Sequence, residues 1–156
     1  MTTVYRLLRS LYAANPFDGE GAYRYGGRWS SVGNRVVYTS QYQSLAMLEY
    51  FVHLDRDDPP TDLVLARARI PDRLSRTQVA LEDLPPGWRA SPSASSLAMI
   101  GDDFVAQRKA AILIVPSALA PSESNWLLNP LHPEFGRIEI QPVESFEYDE
   151  YKQHIL

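Results

Sequence analysis

Two glycines followed by an arginine, Gly26, Gly27 and Arg28, form the first pattern in this sequence that could bind a ligand. Glycines let backbone N–H groups come close to a ligand, and a guanidinium presents a fork of donors that fits phosphate oxygens. The pattern therefore indicates a site for a small phosphorylated anion. A surface turn in which Trp29 packs against the core is the competing interpretation, because Gly-Gly pairs are common in turns.

Glu49 is a candidate catalytic carboxylate, because residues 45–54 around it are apolar except for His53. A desolvated carboxylate can hydrogen-bond a sugar hydroxyl and stabilise an oxocarbenium-like centre, as in glycosyl transfer. Helical periodicity by itself favours a different interpretation, in which Ala46, Glu49 and His53 form a solvated face, since single glutamates are seldom buried. Both interpretations remain open on the sequence pattern.

Tyr38 and Ser117 each lie near the end of a predicted strand, where sites commonly form. The Tyr38 ring could stack on a planar base while its hydroxyl binds the ligand, although strand tyrosines usually serve packing. Ser117 follows the apolar segment ILIVP, and Asn125 begins the stretch NWLLNPLHP. Serine and asparagine also cap turns, so a purely structural role is the alternative for this pair.

The composition excludes several classes of function. The net charge is −4, with thirteen arginines and two lysines, which argues against a nucleic-acid binder that depends on a basic surface. The absence of cysteine excludes a thiol nucleophile, a disulfide framework and a cysteine-ligated metal. The sequence also lacks the dinucleotide-binding G-x-G-x-x-G pattern, the P-loop, the G-x-S-x-G elbow and the H-E-x-x-H zinc pattern.

The length of 156 residues suits one domain, so residues 1–156 are expected to fold around a single core. The N-terminus lacks the apolar region of a signal peptide, and no run of about 18 apolar residues occurs. We therefore expect a cytoplasmic protein without a membrane segment.

Periodicity and turn residues predict strands interrupted by two helices. The predicted strands cover residues 4–8, 35–39, 63–70, 111–115 and 137–143, with a further short strand near Val79. The predicted helices cover residues 40–54 and 93–109, and a short helix closes the chain. Residues 15–34, which are rich in glycine, and residues 118–136 are predicted to be loops. Strands and helices do not alternate regularly, which predicts an α+β fold.

Five segments in this order, YRYGGRW, VVYTS, LAMLEYFVHL, ILIVPS and NWLLNPLHPEF, resemble the RES-domain family, which is named for its Arg, Glu and Ser positions. The resemblance spans nearly the whole chain. It implies a single domain similar to ADP-ribosyltransferases, with a mixed β-sheet core and a few helices. It also implies a bacterial toxin that breaks the nicotinamide–ribose bond of NAD, with water or phosphate as the acceptor. NAD would be the substrate, and no separate cofactor and no metal would be required.

The resemblance implies roles for individual residues. Arg28 matches the family arginine and would pair with the NAD diphosphate, while Tyr38 would flank the nicotinamide. Glu49 matches the family glutamate and would act at the ribose. Ser117 matches the family serine and would hydrogen-bond the nicotinamide or its ribose, and Asn125 would line the same site.

Partners and alternatives also follow from the resemblance. Family members are typically neutralised by an antitoxin of the Xre helix-turn-helix type, which blocks the active site. That antitoxin would bind DNA, whereas this chain would bind NAD and no nucleic acid, and a homodimer within the toxin–antitoxin complex is a further expectation. A protein ADP-ribosyltransferase and a non-catalytic nucleotide- or partner-binding module are the alternatives. The chain departs from the family pattern at Ser30, where Asn is frequent, which leaves the shape of the glycine loop open.

Overall fold

A computed structural model describes residues 1–55 and 57–148 of the protein. Its strands are β1 Thr2–Arg9, β2 Val37–Ser40, β3 Leu63–Ile70, β4 Arg76–Gln78, β5 Ile112–Pro116, β6 Ser124–Leu128, β7 Glu139–Ile140 and β8 Glu144–Ser145. Its α-helices are α1 Glu20–Tyr25, α2 Gln43–Phe51 and α3 Ser95–Gln107. Short 3-10 helices cover Ser10–Tyr12, Leu81–Asp83 and Pro133–Arg137.

The strands form one mixed sheet in the order β4-β5-β6-β2-β1-β3-β7, and β8 also pairs with β3. The pairing of β4 with β5 is parallel, and the other pairings are antiparallel. Strands and helices do not follow one another as repeated crossover units. The predicted α+β fold with a mixed sheet is therefore confirmed.

Side chains alternate between the two faces of the sheet, and each face is covered by its own apolar cluster, so the prediction of a single core was wrong. One face carries Val37 of β2 and Leu128 of β6. The opposite face carries Leu113 of β5 and Leu127 of β6, which pack in one cluster with Leu97 of α3. This second face also carries the candidate site, because the polar ends of β2 and β6 lie on it.

Helix α3 holds the glycine loop that follows α1. Gly101 lets the helix approach this loop closely, since a Cβ atom at that position would lie 1.7 Å from the carbonyl oxygen of Trp29. The carboxylate of Asp102 accepts hydrogen bonds from the backbone N–H of Ser31 and from the side chain of Asn34, both at 2.8 Å. Helix α3 therefore fixes the loop that contains Arg28.

Two of the predicted loops contain regular elements, so those loop predictions were wrong. Residues 15–34 include α1, whose six residues are too few to show a helical period beside so many glycines. Residues 118–136 include β6. Ser124 and Asn125 look like turn residues, and residues 126–128 are all buried, as expected of a central strand covered on both faces.

Other boundaries also differ from the predictions. β2 begins at Val37 rather than at residue 35, and the strand predicted at 137–143 is reduced to β7. A 3-10 helix occupies Pro133–Arg137, and Pro142 has no N–H to extend the ladder. The short strand predicted near Val79 is confirmed as β4, which the N–H of Val79 prolongs by bonding Ile114.

The two long predicted helices occur where expected, as the shorter α2 and α3. The helix predicted at the end of the chain falls outside the described residues. Within residues 1–55 and 57–148, no helix has the length and hydropathy needed to cross a membrane.

Candidate active site

Glu49 of α2 accepts two hydrogen bonds on the same carboxylate oxygen. Ser117 Oγ donates to Glu49 Oε1 at 2.7 Å, and Asn125 Nδ2 donates to it at 2.9 Å. No hydrogen bond reaches Oε2 from the residues that the structure describes. The carboxylate is thus oriented through one oxygen, and its other oxygen has no hydrogen-bond partner among the described residues.

The half-buried position of Glu49 follows from the side of α2 that faces the sheet. Leu45 and Ala46 are buried there, and Glu49 lies four and three residues after them, so all three share one side of the helix. The interpretation of Glu49 as part of a solvated face was therefore wrong. It placed Ala46 on the exposed side, whereas the structure buries that residue.

Ser117 lies directly after β5 and is completely buried. Its Oγ accepts hydrogen bonds from the backbone N–H groups of Leu119 and Ala120, each at 3.1 Å. Because a hydroxyl has one proton and two lone pairs, these two contacts direct the proton toward Glu49. Ser117 therefore caps the turn, as one interpretation predicted, and also contacts Glu49, whereas its role toward the nicotinamide or its ribose stays a prediction.

Asn125 connects the carboxylate to the sheet. Its backbone pairs with Ser40 of β2 on one side and with Val115 of β5 on the other. Ser40 Oγ donates to Asn125 Oδ1 at 2.8 Å, which fixes the amide so that Nδ2 points to Glu49. Ser40 is a site residue that the sequence reasoning missed, since a serine ending a strand carries no distinguishing pattern.

Tyr38 lies two residues before Ser40, so both side chains project from the same face of β2. The Tyr38 hydroxyl accepts a hydrogen bond from the Trp29 N–H at 3.0 Å and shares another with Ser30 Oγ at 2.8 Å. Burial raises the pKa of Tyr38, and these two hydrogen bonds offset part of that effect, so the hydroxyl is protonated at neutral pH. Tyr38 therefore anchors the glycine loop at the edge of the site. Ser30, the departure from the family pattern, is one of its two anchors.

Arg28 is held by the carbonyl groups of a neighbouring turn. Its Nη1 donates to the carbonyl oxygens of Trp88 at 2.8 Å and Ala90 at 2.9 Å. In the described part of the chain its guanidinium makes no direct hydrogen bond with Glu49. The structure thus joins Glu49, Ser117 and Asn125 directly, whereas it keeps Arg28 on the glycine loop beside Tyr38.

A cavity of about 160 Å³ lies at the end of β1 and is a second feature that the sequence reasoning missed. Arg6, Arg9, Tyr12 and Tyr50 are among its lining residues. Arg6 Nη1 donates to the Pro16 carbonyl at 2.9 Å, but its Nε is buried with no partner among the described residues. Burial lowers the pKa of Arg6 to about 10, so it remains a cation at neutral pH. Asp18 and Glu20 also line the cavity, so its lining carries charges of both signs.

Candidate metal ligands do not cluster in the described residues. No group of three His, Asp or Glu side chains in residues 1–55 and 57–148 is arranged to hold a metal ion.

The fold and the site define a small α+β domain whose candidate site is a glutamate bound by a buried serine and an asparagine, with a further candidate arginine on the glycine loop. A sequence model of the RES domain matches residues 3–149. The chain belongs to the RES-domain family, as the resemblance predicted.

Relatives agree with this assignment, and a solved structure shares the fold. The protein named Toxin Res from Pseudomonas putida is 40% identical over 145 residues, which cover 92% of this chain and 97% of the relative. The Prs ADP-ribosylating toxin of Sphingobium sp. (strain YBL2) is 36% identical over 140 residues, covering 88% and 87%. A chain in the crystal structure of the M. tuberculosis MbcT-MbcA toxin-antitoxin complex has the same fold. It superposes with a TM-score of 0.78 at 16% identity, over 97% of this chain and 87% of its own length.

Proposed function

We propose that this chain is the toxin of a bacterial toxin–antitoxin pair and that it cleaves the nicotinamide–ribose bond of NAD. The observation that carries the proposal is the Glu49 carboxylate, which Ser117 and Asn125 hold through Oε1 while Oε2 remains available. Such a fixed negative group suits a reaction in which positive charge develops on a sugar. The relatives named as toxins support the biological role.

The chemistry places little demand on proton transfer. In NAD the nicotinamide ring is already cationic, so breaking its bond to the ribose C1′ returns the electron pair to the ring nitrogen and releases neutral nicotinamide. The positive charge passes to the ribose, and Glu49 Oε2 would stabilise it or accept a hydrogen bond from a ribose hydroxyl. Water or phosphate then bonds to C1′, and a proton is released when water is the acceptor.

Arg28 and Tyr38 would position the rest of the substrate. The two bonds of Arg28 come from Nη1, so Nε and Nη2 can bind the diphosphate. The Tyr38 ring, fixed through its hydroxyl, would flank the nicotinamide. The nicotinamide on one side of the scissile bond and the diphosphate on the other side would both be held. This supplies the orientation that a reaction without a general acid needs.

A protein ADP-ribosyltransferase is the second candidate function, because one relative is named an ADP-ribosylating toxin. The same residues would act, and a protein side chain would replace water or phosphate as the group that attacks C1′. Radiolabel transferred from NAD to a protein distinguishes this activity from NAD cleavage.

The expected partner is an antitoxin, which we propose to be of the Xre helix-turn-helix type and to cover the Glu49 site. The solved toxin–antitoxin complex of the same fold supports a protein partner. A homodimer within such a complex is part of the proposal. Addition of the cognate antitoxin is expected to suppress nicotinamide release in proportion to the complex formed.

The experiment that tests the activity is product analysis after incubation of the purified protein with NAD. We expect free nicotinamide together with ADP-ribose, or with its phosphorylated form when phosphate is added. Appearance of the ADP-ribosyl group on an added protein extract would favour the transferase. Folded protein that binds NAD and releases no nicotinamide under any of these conditions would indicate a non-catalytic binding module.

A further inference from the structure

A tight turn at residues 85–90, here called the Trp88 turn, connects the glycine loop with the Ser117 loop. Its backbone closes through a hydrogen bond from the Ala90 N–H to the Gly87 carbonyl at 2.9 Å. The Trp88 ring packs against the ring of Trp29, with centroids 6.2 Å apart. The turn is thereby fixed to the loop that carries Arg28.

Arg89 extends from this turn toward the opposite side of the site. Its Nε donates to the carbonyl oxygen of Ala118 at 2.7 Å, and Ala118 directly follows Ser117. Arg28 meanwhile binds the carbonyls of residues 88 and 90, which flank Arg89 in the chain. Arg89 therefore belongs to the turn whose carbonyl groups bind the Arg28 guanidinium.

Neither guanidinium has a carboxylate partner among the described residues. Ion pairs form at Arg9, Arg24, Arg35, Arg67, Arg69 and Arg137, whereas Arg6, Arg73, Arg76 and Arg108, like Arg28 and Arg89, form none with the described residues. Arg28 and Arg89 instead bind neutral carbonyl oxygens, which leave their charges uncompensated. Arg89 is exposed and uses only Nε, so both of its terminal nitrogens can still donate.

We propose that Arg89 is a second ligand of the substrate's diphosphate and makes the site selective for ligands that carry a diphosphate. The inference rests on the proposed function and deepens it. A diphosphate carries two negative charges on adjacent phosphoryl groups, which two guanidinium forks can bind together. The bond to Ala118 places Arg89 beside the loop of Ser117, which binds Glu49. A diphosphate held there stays attached to the ribose on which Glu49 acts.

Selectivity follows from this arrangement. Nicotinamide riboside has the same scissile bond as NAD but no phosphate, so it gains nothing from Arg89. Substituting Arg89 should therefore affect NAD and ADP-ribose, and should spare substrates that lack a diphosphate.

The test is calorimetric binding of ADP-ribose and of adenosine to the intact chain and to Arg89→Ala, Arg89→Lys and Arg69→Ala. Arg69 is the matched control, because it lies on β3 and pairs with Glu139 at the far edge of the sheet. We expect Arg89→Ala to weaken ADP-ribose binding by about tenfold or more, the effect of losing a charged hydrogen-bond donor. The affinity of Arg89→Lys for ADP-ribose should lie between those of the intact chain and Arg89→Ala. Adenosine binding should be equal in all four proteins.

Kinetics supply a second readout. Arg89→Ala should raise the KM for NAD and leave kcat/KM for nicotinamide riboside at the value of the intact chain. ADP-ribose binding by Arg89→Ala equal to that by Arg69→Ala would overturn the inference, and so would an intact chain that does not bind ADP-ribose. An intact chain that binds ADP-ribose through Arg89 but releases no nicotinamide would refute the proposed cleavage and support the diphosphate site.

Discussion

The two oxygens of the Glu49 carboxylate have different surroundings, and this difference is the main result at the scale of single residues. Oε1 accepts hydrogen bonds from Ser117 and Asn125, and within the described residues Oε2 accepts none. The supporting residues come from β5 and β6, which are the neighbouring strands of one sheet. The position of the Glu49 carboxylate is therefore set by the register between those strands.

Ser117→Ala tests this support. The substitution removes the donor to Glu49 and leaves the N–H groups of Leu119 and Ala120 without their acceptor. We expect the free energy of unfolding to fall by about 1–3 kcal/mol, and kcat for nicotinamide release to fall by roughly ten- to a hundredfold. Urea denaturation and steady-state kinetics measure the two effects. Ser122→Ala, at an exposed serine of the same loop, should change neither quantity, and an unaltered kcat in Ser117→Ala would refute the support of Glu49.

At the scale of elements, α3 positions the glycine loop through two adjacent residues, which contribute in different ways. Gly101 permits the close approach, and Asp102 supplies the hydrogen bonds. The loop then presents Arg28 on one side and meets Tyr38 on the other. Changes in α3 should therefore alter substrate binding even though the helix itself lies outside the Glu49 cluster.

Gly101→Ala should destabilise the protein by about 3 kcal/mol or more, because the new methyl group would overlap the Trp29 carbonyl. Neither the backbone of α3 nor that of the glycine loop can move away without losing its own contacts. Denaturant unfolding measures the loss. The matched control is Gly136→Ala, where a Cβ atom would have no neighbour within 4 Å. Equal stability of the two variants would show that α3 does not pack against the loop as described.

The contact between α3 and the glycine loop depends on pH, because the Asp102 carboxylate forms part of it. Burial opposes ionisation, but the hydrogen bonds from the side chain and backbone of Ser31 and from Asn34 outweigh it, and the pKa of Asp102 is lowered. A depressed pKa in the folded state stabilises the fold above the unfolded value, near pH 4, and that contribution is lost as the pH falls through the folded pKa. Loss of stability in acid should therefore be smaller in Asp102→Ala than in the intact chain.

The measurement is urea denaturation of Asp102→Ala at pH 7 and at pH 3. At pH 7 the variant should be less stable by about 1–3 kcal/mol, and the difference should narrow at pH 3. Asp103→Ala is the control, since Asp103 is an exposed residue of the same helix. A constant difference between the two pH values would contradict the assignment of this contact to the ionised carboxylate.

At the scale of the whole molecule, the sequence predicts the class of fold and the long elements better than the site. Helices α2 and α3 and strands β1, β3 and β5 have clear periods or apolar runs, so their positions are predicted within a few residues. Strand β6 was missed because Asn125 looks like a turn residue, although it is the residue that joins β2 and β5 to Glu49.

Contacts between distant positions set the limit of prediction for the site. Ser117 and Asn125 are 68 and 76 residues away from Glu49 in the chain, and no local period records that they meet. Periodicity even favoured the wrong side of α2 for Glu49. The resemblance to the RES-domain family named Glu49, Ser117 and Asn125 together, and the structure brings these three side chains into contact, whereas their roles toward NAD stay predictions. The resemblance did not indicate that Ser40 binds Asn125 or that Arg6 is buried beside a cavity. It also did not indicate that carbonyl groups of the Trp88 turn bind Arg28.

The most direct test of the account is the rate of nicotinamide release from NAD by Glu49→Gln. A glutamine at position 49 has nearly the same shape, and its carbonyl oxygen can still accept from Ser117 and Asn125, so chiefly the negative charge is lost. We expect kcat to fall by about a hundredfold or more with little change in ADP-ribose binding, while the exposed control Glu82→Gln keeps full activity. Full activity in Glu49→Gln would contradict the central claim that the Glu49 carboxylate stabilises the cationic ribose.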